Sequence, residues 1–326
     1  MLFRRQPCHI VLLLAACLLA CSIEPSPPLP PHSFAFAVFG DGPYRAWEVG
    51  RFRRLIQDVN RTDLAWFLHV GDIFWYPCSD ENYRRTLDSM NAIQHPVVFT
   101  PGDNEWADCH EGVAGRHAPL ERLAFLRKTF YARPNRSLGA RTMAVMSQSE
   151  NPAYTEFVEN VRWVRGGFVF ATLHMVGAEN ATMAFEGRTA ANDEEAARRI
   201  DAGMAWMDET FAFADSSGLT GVVLAMHGSP GLQYHPRPRP GYEAFLDRLE
   251  TRVKAFGGPV LMIHGDGHTF RVDHPLRDRV TYEPLPNFTR LETYGSPDIG
   301  WVRVVVDSVS GEFTAFEPRM MRRWWL

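Results

Sequence analysis

Five short loops that carry aspartate, asparagine or histidine, each directly after an apolar β-like run, constrain this chain more than any other feature. They are FGDGPY (39–44), HVGDIF (69–74), TPGDNEW (100–106), LAMHGSP (224–230) and MIHGDGH (262–268). A turn would explain any one of them, because Gly, Asp, Asn and Pro favour turns. Parallel strands that end at one edge of a sheet, however, bring their loops into one crevice. The side chains gathered there would suit divalent cations.

Apolar β-like runs and helical segments alternate along most of the chain. We predict strands over residues 34–39, 64–70, 96–100, 168–173, 221–226 and 259–264, and helices over 46–60, 81–93, 119–131, from 192 onward and over 241–256. This alternation is typical of parallel βαβ crossovers. Residues 133–167 fit it less well, and residues 301–307 and 312–318 predict an antiparallel hairpin. The pattern predicts two sheets packed face to face with helices outside.

The predicted helix near residue 192 has a start signal of its own. Asn192 followed by Glu195 predicts an N-cap and a capping box. Helical spacing then predicts a buried stripe of Ala197, Ile200, Met204, Met207 and Phe211. We interpret this stripe as core.

The N-terminal segment predicts export. Two arginines precede an apolar run over residues 10–20, which is too short to span a bilayer but typical of a signal peptide. The run ends in LLAC, which resembles the bacterial lipobox with Cys21 as the lipidated residue. LAAC with Cys17 is a competing interpretation, and an ordinary secretory signal without a lipid is a third.

Residues 21–32 follow as a tether. Ser22 after the cysteine favours the outer membrane by resemblance to lipoprotein sorting, and the proline-rich run PSPPLPP (25–31) predicts a stiff extended spacer. We therefore expect a signal peptide over 1–20, a tether over 21–32 and one domain over 33–326. The expected location is the periplasmic face of the bacterial outer membrane, with the membrane contacted through the lipid anchor. The terminal RRWWL is expected to pack or to form a surface patch.

Cysteine use and charge limit the remaining possibilities. Cys78 and Cys109 follow two of the loops, and in an oxidising compartment we expect them to pair, with two buried free thiols as the alternative. Such a bridge would contribute roughly 3 to 4 kcal/mol to stability. The formal net charge of −4, which loss of Arg4 and Arg5 would make more negative, disfavours nucleic acid as a partner.

In order, spacing and flanking strands, the five loops resemble the motifs of the calcineurin-like metallophosphoesterases. That family's motifs run DxH, GDxx, GNH[DE], a histidine after an apolar strand, and GHxH, and the resemblance covers residues 34–268. It implies a double ψ-sandwich fold, in which two mixed β-sheets are flanked by helices. It also implies two divalent metal ions, which activate a hydroxide for attack on a phosphate ester.

The resemblance implies a first metal position held by Asp41, Asp72 and His268. Asp41 matches the aspartate of the first motif, but Pro43 stands where that motif has a histidine, so one ligand is absent. Asp72 matches the aspartate that bridges the two metals. His268 matches the second histidine of the last motif.

The second metal position would take Asp72 together with Asp103 or Asn104, His227 and Asp266. Asp103 aligns with the family's ligand asparagine and Asn104 with its catalytic histidine, although a shift of one residue would make Asn104 the ligand. Asp266 replaces the first histidine of the last motif. Carboxylate in place of imidazole favours Mn²⁺, Mg²⁺ or Fe over Zn²⁺.

The proton donor is the least defined part of the implied site. Asn104 at the place of the catalytic histidine removes a contact worth about 10²- to 10⁴-fold in rate. His174 and His264 are the available substitutes, each with a purely structural role as the alternative. His69 is expected to point into the sheet packing. Tyr44 and Trp106 are expected to wall the cleft or to pack beside it.

The sequence thus predicts an exported metallophosphoesterase acting on a small-molecule phosphoester. The alternative is a catalytically degenerate lipoprotein of the same fold that binds a ligand or metal in the cell envelope. A serine hydrolase is disfavoured because the chain has no GxSxG elbow, and a Rossmann oxidoreductase because no GxGxxG follows the first strand.

Overall fold

The structure is a computed structural model that describes residues 26–234, 237 and 239–321. The predicted signal peptide, the alternative lipidation positions Cys17 and Cys21, and the RRWWL tail lie outside these residues. Among the described helices, none combines the length and the apolar composition that crossing a membrane requires.

Twelve strands are described, and they form two sheets. In chain order they are β1 Ser33–Phe39, β2 Phe67–His69, β3 Val97–Phe99, β4 Met146–Ser147, β5 Val161–Arg165, β6 Phe168–Thr172, β7 Gly221–Ala225, β8 Val260–His264, β9 Arg271–Asp273, β10 Phe288–Glu292, β11 Gly300–Asp307 and β12 Glu312–Met320.

The first sheet has the order β12-β11-β1-β2-β3. Strands β1, β2 and β3 are parallel, while β11 pairs antiparallel with β1, from Ser33 opposite Asp307 to Val38 opposite Val302. Strand β12 pairs antiparallel with β11, which confirms the predicted hairpin. The sequence-distant β11 therefore completes the sheet that the first three strands begin.

The second sheet has the order β4-β5-β6-β7-β8-β10-β9. Strands β6, β7, β8 and β10 are parallel, and the outer pairings β4–β5, β5–β6 and β9–β10 are antiparallel. The sequence pattern missed β9 and β10. Strand β10 carries Arg290 and Glu292, which are almost fully buried and form ion pairs with Asp273 and Arg271.

Helices cover the outer face of each sheet. Helices α1 Val49–Arg61, α2 Asp80–Asn91 and α3 Pro119–Phe130 supply apolar residues to the core outside the first sheet. Helices α4 Ala190–Ser216 and α5 Glu243–Phe256 do the same for the second sheet. A third apolar layer, which includes Phe36, Phe170 and Leu261, fills the space between the sheets. The prediction of two mixed sheets flanked by helices is confirmed.

The layering explains the continuous apolar run of β1. Phe34, Phe36 and Val38 face the second sheet, whereas Ala35, Ala37 and Phe39 face the helices. Both faces of this central strand are thus removed from water, as in parallel sheets covered on both sides.

The predicted N-cap of helix α4 was wrong by three residues. Thr189 is the N-cap, and Asn192 lies inside the first turn, where its Oδ1 accepts from the Thr189 backbone nitrogen at 3.0 Å. Of the predicted stripe, Met207 and Phe211 are buried, Ile200 and Met204 pack at the edge of the core, and Ala197 is exposed. The buried face instead includes Arg199, which binds a neighbouring loop rather than apolar core.

Candidate metal centre

The predicted ligands meet where the two sheets present the carboxyl ends of five strands. Asp41 follows β1, Asp72 follows β2, Asp103 follows β3, His227 follows β7, and Asp266 and His268 follow β8. Hydrogen bonds between the loops hold these side chains close to one another. The Asp266 backbone nitrogen donates to Oδ1 of Asp41 at 2.9 Å, and the Gly265 nitrogen donates to the His227 carbonyl at 3.0 Å.

His227 lies at the middle of one group of donors. Its Nε2 atom is 3.0 Å from Oδ1 of Asp103, 3.3 Å from Oδ1 of Asp72 and 4.0 Å from Oδ1 of Asp266. Its Nδ1 atom lies 2.8 Å from the carbonyl oxygen of Val70, to which it can donate. A histidine that donates through Nδ1 has its Nε2 lone pair free for a metal.

His268 repeats this arrangement beside the other donors. Its Nε2 atom is 3.3 Å from Oδ1 of Asp41, and its Nδ1 atom is 2.8 Å from the carbonyl oxygen of Ser296. Asp41, Asp72 and His227 place one donor atom each within 4.8 Å of one another, and so do Asp103, His227 and Asp266. The two groups share His227, so the donors form one continuous cluster.

Four carboxyl groups in such a small buried space repel one another. Burial raises the pKa of Asp72 well above its usual range and raises that of Asp266 as well. Burial alone would lower the pKa of His227, but the carboxylates of Asp72 and Asp103 outweigh it and raise that pKa well above its ordinary value. Buried Oδ2 of Asp41 has no hydrogen-bond partner among the described residues. Carboxylate oxygens with two imidazoles fit divalent cations, which would relieve the repulsion.

The backbone around the cluster is strained at the ligand positions. Asp41, Asp72, Asp266 and His268 have φ values of 56°, 54°, 66° and 57°, in the left-handed region that non-glycine residues rarely adopt. Such conformations cost roughly 1 to 3 kcal/mol each and cluster at functional sites. Gly102 allows the close approach, since a Cβ atom there would overlap Oδ1 of Asp72.

Glu105 holds the backbone of two ligand loops through hydrogen bonds, a role that we did not predict from the sequence. Its Oε1 atom accepts from the backbone nitrogens of Gly102 at 2.6 Å and Asp72 at 3.2 Å. Glu105 is completely buried, and this burial raises its pKa to about 7. The acidic fourth letter of GDNE was the available signal, because it matches the [DE] of the family motif.

The structure distinguishes Asp103 from Asn104. Asp103 lies against His227, whereas Asn104 donates its backbone nitrogen to Oδ1 of Asp72 at 3.1 Å. The side-chain nitrogen of Asn104 is buried without a hydrogen-bond partner in the described structure. Of the two alternatives, Asp103 is therefore the one that joins the donor cluster.

His174 and His264 lie outside the two donor groups. Nδ1 of His174 is 2.7 Å from Oε1 of Glu159, which also pairs with Arg127. Nδ1 of His264 lies 2.9 Å from the Gly265 carbonyl, and burial lowers the pKa of His264 to about 3. These contacts give both histidines structural partners, and neither is placed with the metal-type ligands.

His69 packs as expected. Its ring contacts those of Phe39 and Phe99 edge-on, at centroid distances of 5.1 and 5.9 Å. The residue is buried in the first sheet. Its position between aromatic rings is a packing role.

Tyr44 does more than wall the cleft. Its hydroxyl donates to Oδ2 of Asp72 at 2.7 Å, and its ring lies 5.6 Å from His268 and 5.2 Å from the half-exposed Trp75. Burial, followed by the charges of Asp72 and Asp41, raises the pKa of Tyr44 well above its usual range. The hydroxyl therefore keeps its proton as a donor.

A cavity of about 290 Å³ opens beside Asp103. Trp106, Asp108, Phe185 and Arg188 are among the residues that line it. Trp106, expected to wall the cleft or to pack, thus lines this space together with Asp103. The cavity offers room for part of a ligand next to the donor cluster.

An unusual turn borders this cavity. Residues Ala178, Glu179, Asn180 and Ala181 all have φ between 50° and 58°, which makes one turn of left-handed helix. Buried Arg199 holds the turn by donating to Oδ1 of Asn180 at 2.7 Å and to its carbonyl at 2.8 Å. The Gly177 nitrogen that precedes the turn donates to Oδ1 of Asp103 at 3.0 Å. The strained turn thus positions a donor to the cluster.

Arg239 lies at the edge of the cluster. A guanidinium nitrogen is 3.7 Å from Oδ2 of Asp266, and the side chain is about half exposed. Oδ2 of Asp266 also accepts from the Ser229 backbone nitrogen at 3.0 Å. A cationic side chain is therefore available to an anion that approaches the carboxylates.

Cys78 and Cys109 form the predicted disulfide, with their Cα atoms 5.7 Å apart. Cys78 lies beyond the Asp72 loop and Cys109 beyond the Asp103 loop. The bridge joins the two segments that follow these ligands, as expected from the sequence.

Comparisons with known proteins give a likeness of fold. No protein-family model matches the sequence, and no curated protein matches it significantly. The solved structure of PhoD matches with 14% identity and a TM-score of 0.52, over 87% of this chain and 65% of that one. The chain therefore spans just under two thirds of PhoD. A phosphatase from Mycoplasma pneumoniae matches at 10% identity over 90% of this chain and 94% of its own, with a TM-score of 0.46. Phosphopantetheinyl hydrolase from Mycobacterium tuberculosis matches with 13% identity over 82% of this chain and 91% of its own, with a TM-score of 0.42.

Proposed function

We propose that this chain, whose fold is that of the calcineurin-like metallophosphoesterases, is a metal-dependent phosphoesterase. The observation that carries the proposal is the continuous donor cluster at the carboxyl ends of five strands. It contains four aspartates and two histidines, and each histidine turns Nε2 toward a carboxylate. The substrate would be a small-molecule phosphate ester.

Two divalent cations fit the donors. Asp41, Asp72 and His268 would hold the first, and Asp72, Asp103, His227 and Asp266 the second. When bound, the ions would supply Lewis-acid charge and a water of lowered pKa, which together promote in-line attack on phosphorus. The excess of carboxylate over imidazole favours Mn²⁺, Mg²⁺ or Fe over Zn²⁺.

The chain itself would bind and orient the ester. Arg239, at the edge of the cluster, can donate to phosphoryl oxygens and offset the charge that develops in the transition state. The cavity beside Asp103 would receive the leaving group. Tyr44 and the Gly177 nitrogen donate to the carboxylates of Asp72 and Asp103, and Glu105 accepts from the Asp72 backbone nitrogen, so these hydrogen bonds hold the ligands in place.

Protonation of the leaving group is the weak step in this arrangement. The neutral amide of Asn104 stands where the family has a histidine and cannot act as an acid at neutral pH. We expect esters with good leaving groups, such as aryl phosphates, to be hydrolysed much faster than alkyl esters.

The location we propose is the periplasmic face of the outer membrane. It is supported by the short apolar N-terminal run and the lipobox-like LLAC ending at Cys21. The lipid would anchor the domain, with the proline-rich segment as a spacer.

The test is hydrolysis of an aryl phosphate monoester and diester by the purified full-length protein in mild detergent. The protein is stripped of metal and then resupplied with Mn²⁺, Mg²⁺ or Zn²⁺. Asp72→Asn removes the shared carboxylate, and Asp208→Asn is the matched control, since Asp208 pairs with Arg248 and Arg252 on the helices. Activity that returns with metal in the wild type and control, but not in Asp72→Asn, supports the proposal. A folded protein that binds metal but stays inert supports the degenerate binding protein instead.

A further inference from the structure

The first metal position is short of a ligand. Pro43 occupies the place of a motif histidine. Among the described residues we assign Asp41, Asp72 and His268 to this position, and His227, whose donor atom lies within 4.8 Å of those of Asp41 and Asp72, to the second. Two of the three are oriented by hydrogen bonds to neighbours: Asp72 accepts from Tyr44 and Asn104, and Nδ1 of His268 faces the Ser296 carbonyl. Something else must fix these donors for a cation to bind tightly.

Tyr44, the next residue, reaches the shared carboxylate. Its hydroxyl donates to Oδ2 of Asp72 at 2.7 Å. Oδ1 of the same carboxylate is left facing Nε2 of His227 at 3.3 Å and accepts from the Asn104 backbone nitrogen at 3.1 Å. The hydrogen bonds from Tyr44 and from the Asn104 backbone nitrogen therefore together determine which oxygen of Asp72 points into the middle of the cluster.

A second chain of contacts links Tyr44 to His268. The Tyr44 backbone nitrogen donates to Oε2 of Glu48 at 2.7 Å, and the Ser296 hydroxyl donates to Oε1 of the same group at 2.7 Å. The Ser296 carbonyl in turn faces Nδ1 of His268 at 2.8 Å. Glu48 is completely buried, so this carboxylate is a fixed link between the Tyr44 loop and the His268 loop.

We propose that Tyr44 is a positioning residue that makes up for the missing histidine. Its hydroxyl orients Asp72 and thereby strengthens cation binding at the first position, while its backbone nitrogen, through Glu48 and Ser296, ties the same loop to His268. This inference rests on the proposed metal centre. Hydrogen-bond partners of metal ligands contribute about 10- to 100-fold to metal affinity.

The experiment compares Tyr44→Phe with Tyr76→Phe in the full-length protein. Both changes remove one phenol hydroxyl, but that of Tyr76 donates to Glu111 at 2.6 Å, outside the cluster. Mn²⁺ is titrated into the metal-free proteins, and bound ion is counted by electron paramagnetic resonance. We expect Tyr44→Phe to bind one of two Mn²⁺ ions about 10- to 100-fold more weakly. Tyr76→Phe should bind two Mn²⁺ ions with the affinities of the wild type.

Two further measurements separate positioning from general stability. Metal-free Tyr44→Phe should still unfold in one cooperative transition, with at most the modest drop in melting temperature that follows from one lost hydrogen bond. Its aryl phosphatase activity should recover when Mn²⁺ is raised to saturation. Ser296→Ala removes only the hydroxyl link to Glu48, and it should also lower the affinity for Mn²⁺.

Three results would overturn the inference. One is equal Mn²⁺ affinity in wild type and Tyr44→Phe, and another is an equal loss in Tyr44→Phe and Tyr76→Phe. Both would leave the metal centre itself intact. A wild-type protein that binds no Mn²⁺, Mg²⁺ or Zn²⁺ would overturn the metal centre and this inference together.

Discussion

Nδ1 of His227 lies 2.8 Å from the carbonyl oxygen of Val70, so the backbone of one sheet orients a side chain of the other. His227 follows β7 in the second sheet, and Val70 follows β2 in the first. The contact fixes the ring so that Nε2 faces Asp103 and Asp72. The candidate metal centre thus depends on the sheets being docked against each other.

Replacing His227 by Gln should abolish tight metal binding and lower activity at least about a hundredfold, since a metal Lewis acid supplies several kcal/mol to the transition state. His274→Gln is the matched control, because Nδ1 of His274 also lies 2.8 Å from a backbone carbonyl, that of Phe288, away from the cluster. Metal content and aryl phosphate hydrolysis are measured together. Full metal content in His227→Gln would contradict the assignment.

Gly102→Ala should disrupt the centre without unfolding the protein. The added Cβ would overlap Oδ1 of Asp72 and lie 2.5 Å from its backbone nitrogen, so Asp72 must move. Gly50→Ala, on helix α1 with nothing within 4 Å of its Cβ, should instead stabilise the protein by about 0.5 to 1 kcal/mol. Metal affinity and denaturant unfolding distinguish the two outcomes. Wild-type metal binding by Gly102→Ala would show that the packing tolerates the methyl group.

The metal-free protein should lose stability as pH rises from about 7 to about 8. Burial, more than any other cause, raises the pKa of Glu105 from 4.5 to about 7 and that of Asp108 from 3.8 to about 8. At pH values between the pKa of each group in the unfolded state and its pKa in the folded state, the folded state binds more protons than the unfolded state. The free energy of unfolding therefore decreases as pH rises through that window.

Thermal melting in a chelator at about pH 7 and pH 8 checks this linkage, because below about pH 6.5 buried His264, with its pKa lowered to about 3, changes stability in the opposite direction. The melting temperature should be lower at the higher pH, and saturating Mn²⁺ should reduce the difference because a cation favours ionised carboxylates. A metal-free protein that gains stability between these pH values would refute the prediction.

Arg239→Ala should lower kcat/KM about 10²- to 10³-fold, the usual effect of removing one donor to developing charge. Metal content should not change, because Arg239 contacts Asp266 only at 3.7 Å. Arg239→Lys should recover part of the loss. Arg237→Ala, two residues away on the same loop, serves as the control, and an unchanged kcat/KM in Arg239→Ala would exclude a role in the reaction.

Replacing both Cys78 and Cys109 by Ser should destabilise the protein by about 3 to 4 kcal/mol, the loop-entropy value for a bridge of this span. Equilibrium unfolding in urea, compared with wild type under oxidising and reducing conditions, measures the loss. The urea midpoint of the reduced wild type should approach that of the double variant. If reduction leaves the wild-type midpoint unchanged, the bridge does not contribute.

The ligand loops and their strands could be predicted because their signal is local. A short apolar run followed by Gly-Asp or His-Gly specifies a buried strand and its loop within a few residues, as at Asp72 and His227. Charged strands gave no such signal. Strand β10 contains Arg290 and Glu292, whose burial depends on Asp273 and Arg271 from other segments.

The supporting residues were missed for a related reason. Tyr44 and Glu105 act through hydrogen bonds to Asp72, and the left-handed turn at residues 178–181 depends on Arg199 from helix α4. None of these partners is near in sequence to the residue it orients. The start of α4 was misplaced because Asn192 and Thr189 are both good cap residues, and only the backbone decides between them.

The pairing of β1 with β11 bears on how the protein is made. All the candidate ligands precede residue 269, yet strand β1 pairs with β11, which spans residues 300–307 and is synthesised later. During synthesis, a ribosome that has already released every ligand loop still leaves one edge of the apolar FAFAVF strand unpaired. Unpaired apolar edges recruit other chains. A nascent chain that stalls before β11 would hold the complete chemistry of the site and still be a substrate for chaperones or aggregation.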